Sequence, residues 1–166
     1  MATTGDTFST CDLCDAHMAE LGTRLFILPP VFRDLGGAPR FGGIVATVKC
    51  HEDNSMVRAA FDEPGRGRVL VVDGGGSLRR ALVGGNVAAA AAKNGWAGMV
   101  IDGAVRDMAE LAATPVGIRA LALVPLPTEK RGAGERDITV RIQGVWVRPG
   151  DRLVADADGI VVLSGG

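Results

Sequence analysis

The sequence predicts one mixed α/β domain over residues 1–166, and three observations predict it. Apolar runs of buried-strand type, RVLVV at 68–72 and AGMVI at 97–101, are each followed by a glycine-rich or polar break and then a helical segment. The last third changes to short alternating runs separated by Gly and Pro-Gly-Asp turns, the pattern of antiparallel hairpins. The chain is 47% hydrophobic and 22% charged, enough apolar residues for a core in a domain of this length.

Taken in order, residues 11–21 place Leu13, Ala16, His17 and Leu21 on one helical face, with Gly22 as the stop. Residues 24–28 read as a short strand ended by Pro29-Pro30, and 32–43 as a Gly/Pro-rich loop. A strand follows at 43–50 and a helix at 54–61, closed by Pro64-Gly65. After the strand at 68–72, residues 78–83 are expected to make a short helix. Gly84-Gly85-Asn86 breaks it, and 87–93 makes a second helix capped by Asn94-Gly95. Residues 97–101 form a strand, 102–106 a turn, 107–113 a helix and 116–123 a strand. Residues 138–142 and 145–147 pair as a hairpin, and 152–155 and 160–163 follow as strands around an Asp-Gly turn. No repeat or long linker divides the chain.

Composition narrows the function classes. Glycine accounts for 24 residues, about twice the usual roughly 7%, without a collagen period or a linker run, which implies tight turns and close backbone approaches. Aromatics are 4% with no tyrosine, and the net charge is −1, so neither a base-stacking platform nor a polyanion footprint is present and no direct nucleic-acid partner is expected. The N-terminal stretch lacks the basic and apolar regions of a secretory signal, and no apolar run reaches the ~18 residues of a membrane span. Three cysteines without framework spacing suit free thiols, so the expected location is cytoplasmic.

Several motifs invite chemistry. Cys11-x-x-Cys14 would need two more zinc ligands, for which Cys50-His51 is the one pair on offer, and it sits in a helical segment rather than after a strand, so it reads as two small helix residues. Asp156-Ala157-Asp158-Gly159 fails the calcium-loop frame, whose twelfth position would be Gly165, and reads as a β-turn. Asp73-Gly74-Gly75-Gly76 satisfies neither the dinucleotide fingerprint nor the phosphate loop. The strongest constellation is Gly84-Gly85-Asn86-Val87 with Arg106, Asp107 and Glu110. Both segments fall after expected strands or before helices, the edge where α/β proteins bind ligands. Backbone N–H groups of residues 85–87 open a helix and suit a carboxylate, Arg106 offers a permanently charged donor fork, and Asp107 is an oxygen ligand for a divalent cation. The same letters also write a capping box, with Asp107 as N-cap and Glu110 three residues on, and spacing alone admits both readings.

The run VVDGGGSLRRALVGGNVAAAAAKNGWAGMVIDGAVRDMAEL, followed by GIRAL, RGAGERD and PGDRLVADADGIVVL, strongly resembles the RraA-like family, which holds regulators of ribonuclease activity A and class II 4-hydroxy-4-methyl-2-oxoglutarate aldolases. The resemblance extends from Asp12 to Leu163. It implies a swivelling β/β/α domain, an αββα sandwich, assembled as a homotrimer or a pair of trimers with sites between subunits. It further implies Mg²⁺ or Mn²⁺ as cofactor, and cleavage of 2-keto-4-hydroxy acids to pyruvate, with oxaloacetate decarboxylation, through a metal-stabilised pyruvate enolate. By the family's motif, Asp107 is the metal ligand, Arg106 hydrogen-bonds the keto oxygen, and Gly84, Gly85, Asn86 and Val87 hold the substrate carboxylate. Many aldolases of the family carry Asp where this chain has Gly85. A second family pattern, Gly-x₂₀-Arg-Asp-x₂-Glu/Asp, is met by Gly85, Arg106, Asp107 and Glu110, so Glu110 is expected to supply the missing carboxylate and to orient a water as base. Longer members lend a distant C-terminal acid across the interface, and a sequence ending at Gly166 is expected to bring none. Members once bore a methyltransferase label, and the lack of a cofactor loop here agrees with discounting it. The alternative role the family implies is a non-catalytic protein that binds and inhibits a ribonuclease.

Overall fold

The computed structural model describes residues 9–165. Residues 1–8, on which part of the no-leader reading rests, and Gly166 lie outside it. In chain order the elements are α1 (Thr10–His17), β1 (Leu25–Ile27), β2 (Arg33–Asp34), β3 (Phe41–Lys49), α2 (Ser55–Phe61), β4 (Val69–Asp73), β5 (Ala81–Val83), α3 (Gly85–Lys93) and β6 (Gly98–Val105). There follow α4 (Met108–Ala113), β7 (Gly117–Leu123), β8 (Glu135–Arg136), β9 (Val140–Ile142), β10 (Val145–Val147), β11 (Arg152–Asp156) and β12 (Gly159–Leu163).

Strand β3 belongs to two sheets at once. Its residues 41–44 pair antiparallel with β11, which continues through β12 to β1. Its residues 45–49 pair parallel with β4, and β4, β6 and β7 continue the parallel set. Antiparallel β2 and β8 flank that set. Alternation along each buried strand then sorts side chains into layers. Ala46, Val48, Leu70, Val72, Met99, Ile101 and Ile118 face α2, α3 and α4 through Val57, Phe61, Ala88, Ala91 and Leu111. Val45, Val69, Val71 and Val100 face the opposite way, onto the β9–β10 hairpin and the inner side of β11 and β12. Leu13 of α1 covers the outer side of β11 and β12 with Leu25, Val154, Val161 and Leu163. The result is an αββα sandwich, the mixed α/β class that the sequence predicts. Phe41 shows why glycine is needed inside it: a Cβ on Gly98 or Gly117 would strike the Phe41 ring.

Four local expectations are corrected. Residues 78–83 contain no helix; residues 81–83 are strand β5, paired parallel with β6. Residues 102–106 are not a turn, because β6 runs unbroken to Val105 and makes Asp102 a buried strand residue. The loop expected over 32–43 contains β2 and the start of β3, and the first helix stops at His17, with a 3₁₀ turn at Met18–Glu20 in place of its last turn. In the first two cases pairing with a neighbouring strand overrides local composition.

Asp102 carries a stability consequence. It lies directly across from Asp73 in the β4–β6 register, and Gln143 Nε2 donates to its Oδ1 at 2.8 Å. Burial, and then the Asp73 charge, push its carboxyl above the usual range. A carboxyl raised in the folded state contributes stability at low pH that is lost as pH rises through its folded value. Asp102→Asn keeps the acceptor for Gln143 and removes the charge. We expect a melting temperature higher by roughly 2–4 °C at neutral pH, with the difference disappearing towards acid pH. Equal melting temperatures across that range would contradict it.

Candidate functional site

The carboxyl ends of the parallel neighbours β5 and β6 lie side by side, and each chain turns there into a helix. Gly84 is the N-cap of α3 with extended backbone, and its carbonyl accepts from Ala88 N–H at 3.0 Å. Arg106 and Asp107 are the two residues between β6 and α4, and the Arg106 N–H donates to the Val83 carbonyl at 2.9 Å. This single bond locks the two turns together.

The structure removes the capping reading of Asp107. That residue occupies the N-cap position of α4 but with φ 66° and ψ 50°, and its side chain makes no capping bond. No capping box with Glu110 exists; the box in this chain is Ser9 with Asp12 at the start of α1. A left-handed non-glycine residue costs on the order of 1–3 kcal/mol. Here that conformation turns the carboxylate away from its own helix and onto the neighbouring turn, where Oδ2 accepts the Gly85 N–H at 2.8 Å. Arg106 Nε is 4.0 Å from the same oxygen, and Arg106 Nη1 donates to the Pro125 carbonyl at 3.3 Å. Arg106 and Asp107 are 40% and 38% exposed, held in place yet open to a ligand.

At both glycines neighbouring side chains approach the backbone closely. A Cβ on Gly84 would sit 2.8 Å from Asp107 Oδ2 and 3.3 Å from Arg106 Nε. A Cβ on Gly85 would fall inside the Glu110 carboxylate, 2.8 Å from its Cδ and 3.2 Å from its Cβ. Glu110 therefore fills the space that a side chain at position 85 would take.

All the expected site residues meet at this edge, with one refinement. The Gly85 N–H is engaged by Asp107, so the donors that α3 leaves for an anion are those of Asn86 and Val87, first-turn groups without an intrahelical acceptor. Asn86 is exposed and Val87 is buried. A groove of about 420 Å³ between α2 and α3 reaches Asn86, but Arg106, Asp107 and Glu110 do not line it. Sequence reasoning missed Pro125 and the segment around it. The spelling Val-Pro-Leu-Pro-Thr at 124–128 signals extended backbone but not its partners.

The donor set can be tested against a divalent cation. Among the described residues no three His, Cys, Asp or Glu side chains converge, so a closed cage of the structural-zinc kind is absent. Asp107 beside Glu110 is an all-oxygen, partly exposed pair. That fits Mg²⁺ or Mn²⁺, which keep several waters and take few protein carboxylates.

The other motifs are structural. Cys11 Sγ donates to Asp158 Oδ2 at 3.6 Å, and the Asp158 charge foremost pushes its thiol up, away from reactivity. Burial pushes the Cys50 thiol to about 12. Asp156 accepts the Thr10 N–H and hydroxyl at 2.8 and 2.7 Å and tethers α1. Gly76 N–H donates back to the Asp102 carbonyl, and the glycine tract leads into β5 rather than a helix.

Comparison with known proteins places the chain in a family. The RraA-like family model, described as Aldolase/RraA, matches residues 10–162. A protein of Albidiferax ferrireducens is 63% identical over 95% of this chain and 96% of its own, and carries the provisional name 4-hydroxy-4-methyl-2-oxoglutarate aldolase. The solved structure of the RNA-processing inhibitor RraA from Thermus thermophilis superposes with a TM-score of 0.89 at 47% identity, covering 94% of this chain and 92% of that one. A Geobacillus kaustophilus structure described as an S-adenosylmethionine:2-dimethylmenaquinone methyltransferase gives 0.88 at 42% identity, with 96% of each chain covered. Among the described residues no helix is long and apolar enough to cross a membrane. With the family model spanning nearly the whole chain, and relatives this similar along their full length, the protein belongs to the RraA-like family.

Proposed function

We propose that the chain is a cytoplasmic, divalent-metal-dependent aldolase that cleaves 4-hydroxy-4-methyl-2-oxoglutarate and related 2-keto-4-hydroxy acids to pyruvate, and that decarboxylates oxaloacetate. The observation that carries this reading is the placement of Glu110 over Gly85, beside an Asp107 turned out of its capping role and an Arg106 held from two sides. The provisional names of relatives 56–63% identical support it.

Asp107 would hold the ion, with Oδ2 fixed by the Gly85 N–H; when bound, Mg²⁺ or Mn²⁺ supplies Lewis-acid withdrawal of electrons from the keto acid. The Asn86 and Val87 amides take the substrate carboxylate, helped by the positive end of the α3 dipole. Glu110, through a water, accepts the proton of the 4-hydroxyl. The C4 oxygen becomes a carbonyl and that fragment leaves as the second keto product, while the C3–C4 electron pair forms a C2=C3 bond and the C2 carbonyl pair moves onto its oxygen. Arg106 donates to that oxygen as its charge develops, which lowers the barrier because the donor is already oriented. Protonation at C3 releases pyruvate. Decarboxylation of oxaloacetate develops the same charge at the same oxygen, so one set of residues serves both reactions. No lysine Schiff base is needed.

The assembly we propose is a homotrimer or a pair of trimers. Apolar Met108, next to Asp107, and Leu126, next to Pro125, stand 57% and 50% exposed beside the site, the arrangement a covering copy would bury.

The test is direct. Chelation with EDTA is expected to abolish oxaloacetate decarboxylation above the metal-only blank, and added Mg²⁺ or Mn²⁺ to restore it. Turnover that survives thorough chelation would sink the proposal. A second reading, inhibition of a ribonuclease by contact, is favoured by the description of the T. thermophilis relative. Purified protein that slows a ribonuclease yet releases no pyruvate would select it.

A further inference from the structure

Residues 124–128 leave β7 and run as a strap along one side of the site. The Val124 N–H donates to the Val105 carbonyl at 2.9 Å. Three successive carbonyls then each take a donor from the site's frame: Pro125 from Arg106 Nη1 at 3.3 Å, Leu126 from the Ala81 N–H at 2.7 Å, and Pro127 from Arg80 Nη1 at 3.1 Å. The strap ends at Thr128, which is buried against Asn54. The Thr128 hydroxyl donates to Asn54 Oδ1 at 3.0 Å and accepts the Asn54 N–H at 3.2 Å. Beyond it, Asp53 Oδ2 accepts the Arg131 and Ala133 N–H groups.

Asn54 has a second attachment. Its Nδ2 donates to the Leu82 carbonyl of β5 at 3.0 Å. The next two residues of that strand and turn form the other side of the Arg106 slot: Val83 accepts the Arg106 N–H, and Gly84 lies against its Cγ and Nε. Arg106 thus lies between two walls, the strap on one side and the β5–α3 turn on the other. One buried amide, Asn54, ties the walls together through Thr128 and Leu82.

We infer that Thr128, acting through Asn54 and the strap, is a positioning residue for Arg106: the hydroxyl–amide clasp sets the slot in which the guanidinium is aimed. Three features carry the inference. Asn54 and Thr128 are 7% and 6% exposed, so water does not compete for their bonds. Each bond satisfies a group that would otherwise be buried and unpaired, so the clasp stays closed. The Pro125 carbonyl, only three residues along a proline-stiffened segment, is the side-chain acceptor that Arg106 has on the strap. The catalytic part rests on the role proposed above for Arg106; the positioning part does not.

The experiment compares Thr128→Val, which deletes the hydroxyl at nearly constant shape, with Thr128→Ser, which keeps it. In ¹⁵N-labelled protein the Nε–Hε signal of Arg106, assigned by its loss in Arg106→Lys, is expected to shift and lose heteronuclear NOE in Thr128→Val and to return in Thr128→Ser. With oxaloacetate, Thr128→Val should lower kcat roughly tenfold and leave KM within about twofold, because a misaimed donor costs more as charge develops than in the bound ground state. Thr128→Ser should recover kcat. An unchanged Arg106 signal in folded Thr128→Val overturns the inference, as does a kcat loss that serine does not restore. If Thr128→Val does not fold, Thr128→Ala is read in the same two ways. A wild-type protein without lyase turnover refutes the aldolase reading alone, since the NMR comparison still decides whether the clasp aims Arg106.

Discussion

Replacing Arg106 with alanine is expected to lower kcat for pyruvate release and for oxaloacetate decarboxylation by roughly 10²-fold or more, without unfolding the protein. The size follows from its position. Arg106 is the one permanently charged donor at the turn beside Asp107, and its side chain is already held by Pro125, so it reorganises little when the oxyanion forms. The fold should tolerate the change because the side chain is 40% exposed and the Arg106 N–H still bonds to Val83. Arg106→Lys should recover little, since an ammonium point charge lacks the planar fork that reaches a carbonyl and a substrate together. Steady-state kinetics after subtraction of the metal-only blank, with melting temperature as the control for folding, measure this. A folded Arg106→Ala protein with wild-type kcat would remove Arg106 from the mechanism.

The second large effect concerns Gly85 and Glu110. Glu110→Ala is expected to reduce kcat by roughly 10²-fold, the usual yield of a positioned base. Adding Gly85→Asp to that variant should restore at least about tenfold, because the new carboxylate enters the volume that Glu110 vacates, beside the Gly85 N–H that anchors Asp107. Gly85→Asp alone displaces the Glu110 carboxylate, which is exposed and free to swing outward, and leaves one acid in place. Its activity should therefore stay within a few-fold of wild type. The signature is non-additivity: the double variant outperforms Glu110→Ala although Gly85→Asp brings no gain by itself. Kinetics of the three variants decide it. A double variant no better than Glu110→Ala, or a fully active Glu110→Ala, would show that the two positions do not share one carboxylate role. The experiment also bears on how the family writes its site, since it places the same charge in the same space from either of two helices.

Much of this was legible before the fold. The continuous apolar runs at 68–72 and 97–101 mark buried central strands, because burial on both faces leaves no room for alternation. Gly84-Gly85 ahead of an alanine-rich helix marks a helix N-terminus with free backbone donors, and the resemblance to the family pattern draws Gly85, Arg106, Asp107 and Glu110 together. What the letters could not decide was which of two jobs Asp107 and Glu110 perform, since a capping box uses the same pair. That answer depends on a left-handed backbone at Asp107 and on the Gly85 N–H, 22 residues away in sequence, being its partner.

By itself, then, the sequence determined the α/β class, the central strands and helix α3, all of which rest on composition and periodicity within short windows, while the roles expected of the site residues came from the resemblance to a family. Only the tertiary structure decided that residues 81–83 are a strand, that β6 continues through Asp102, that Glu110 occupies the space above Gly85, and that the 124–128 strap clasps Arg106 through Asn54 and Thr128. The physical reason is the same in each case. A three-residue strand, a left-handed turn and a buried hydroxyl–amide pair gain their free energy from partners far along the chain, and those partners are adjacent only after the sheet has formed.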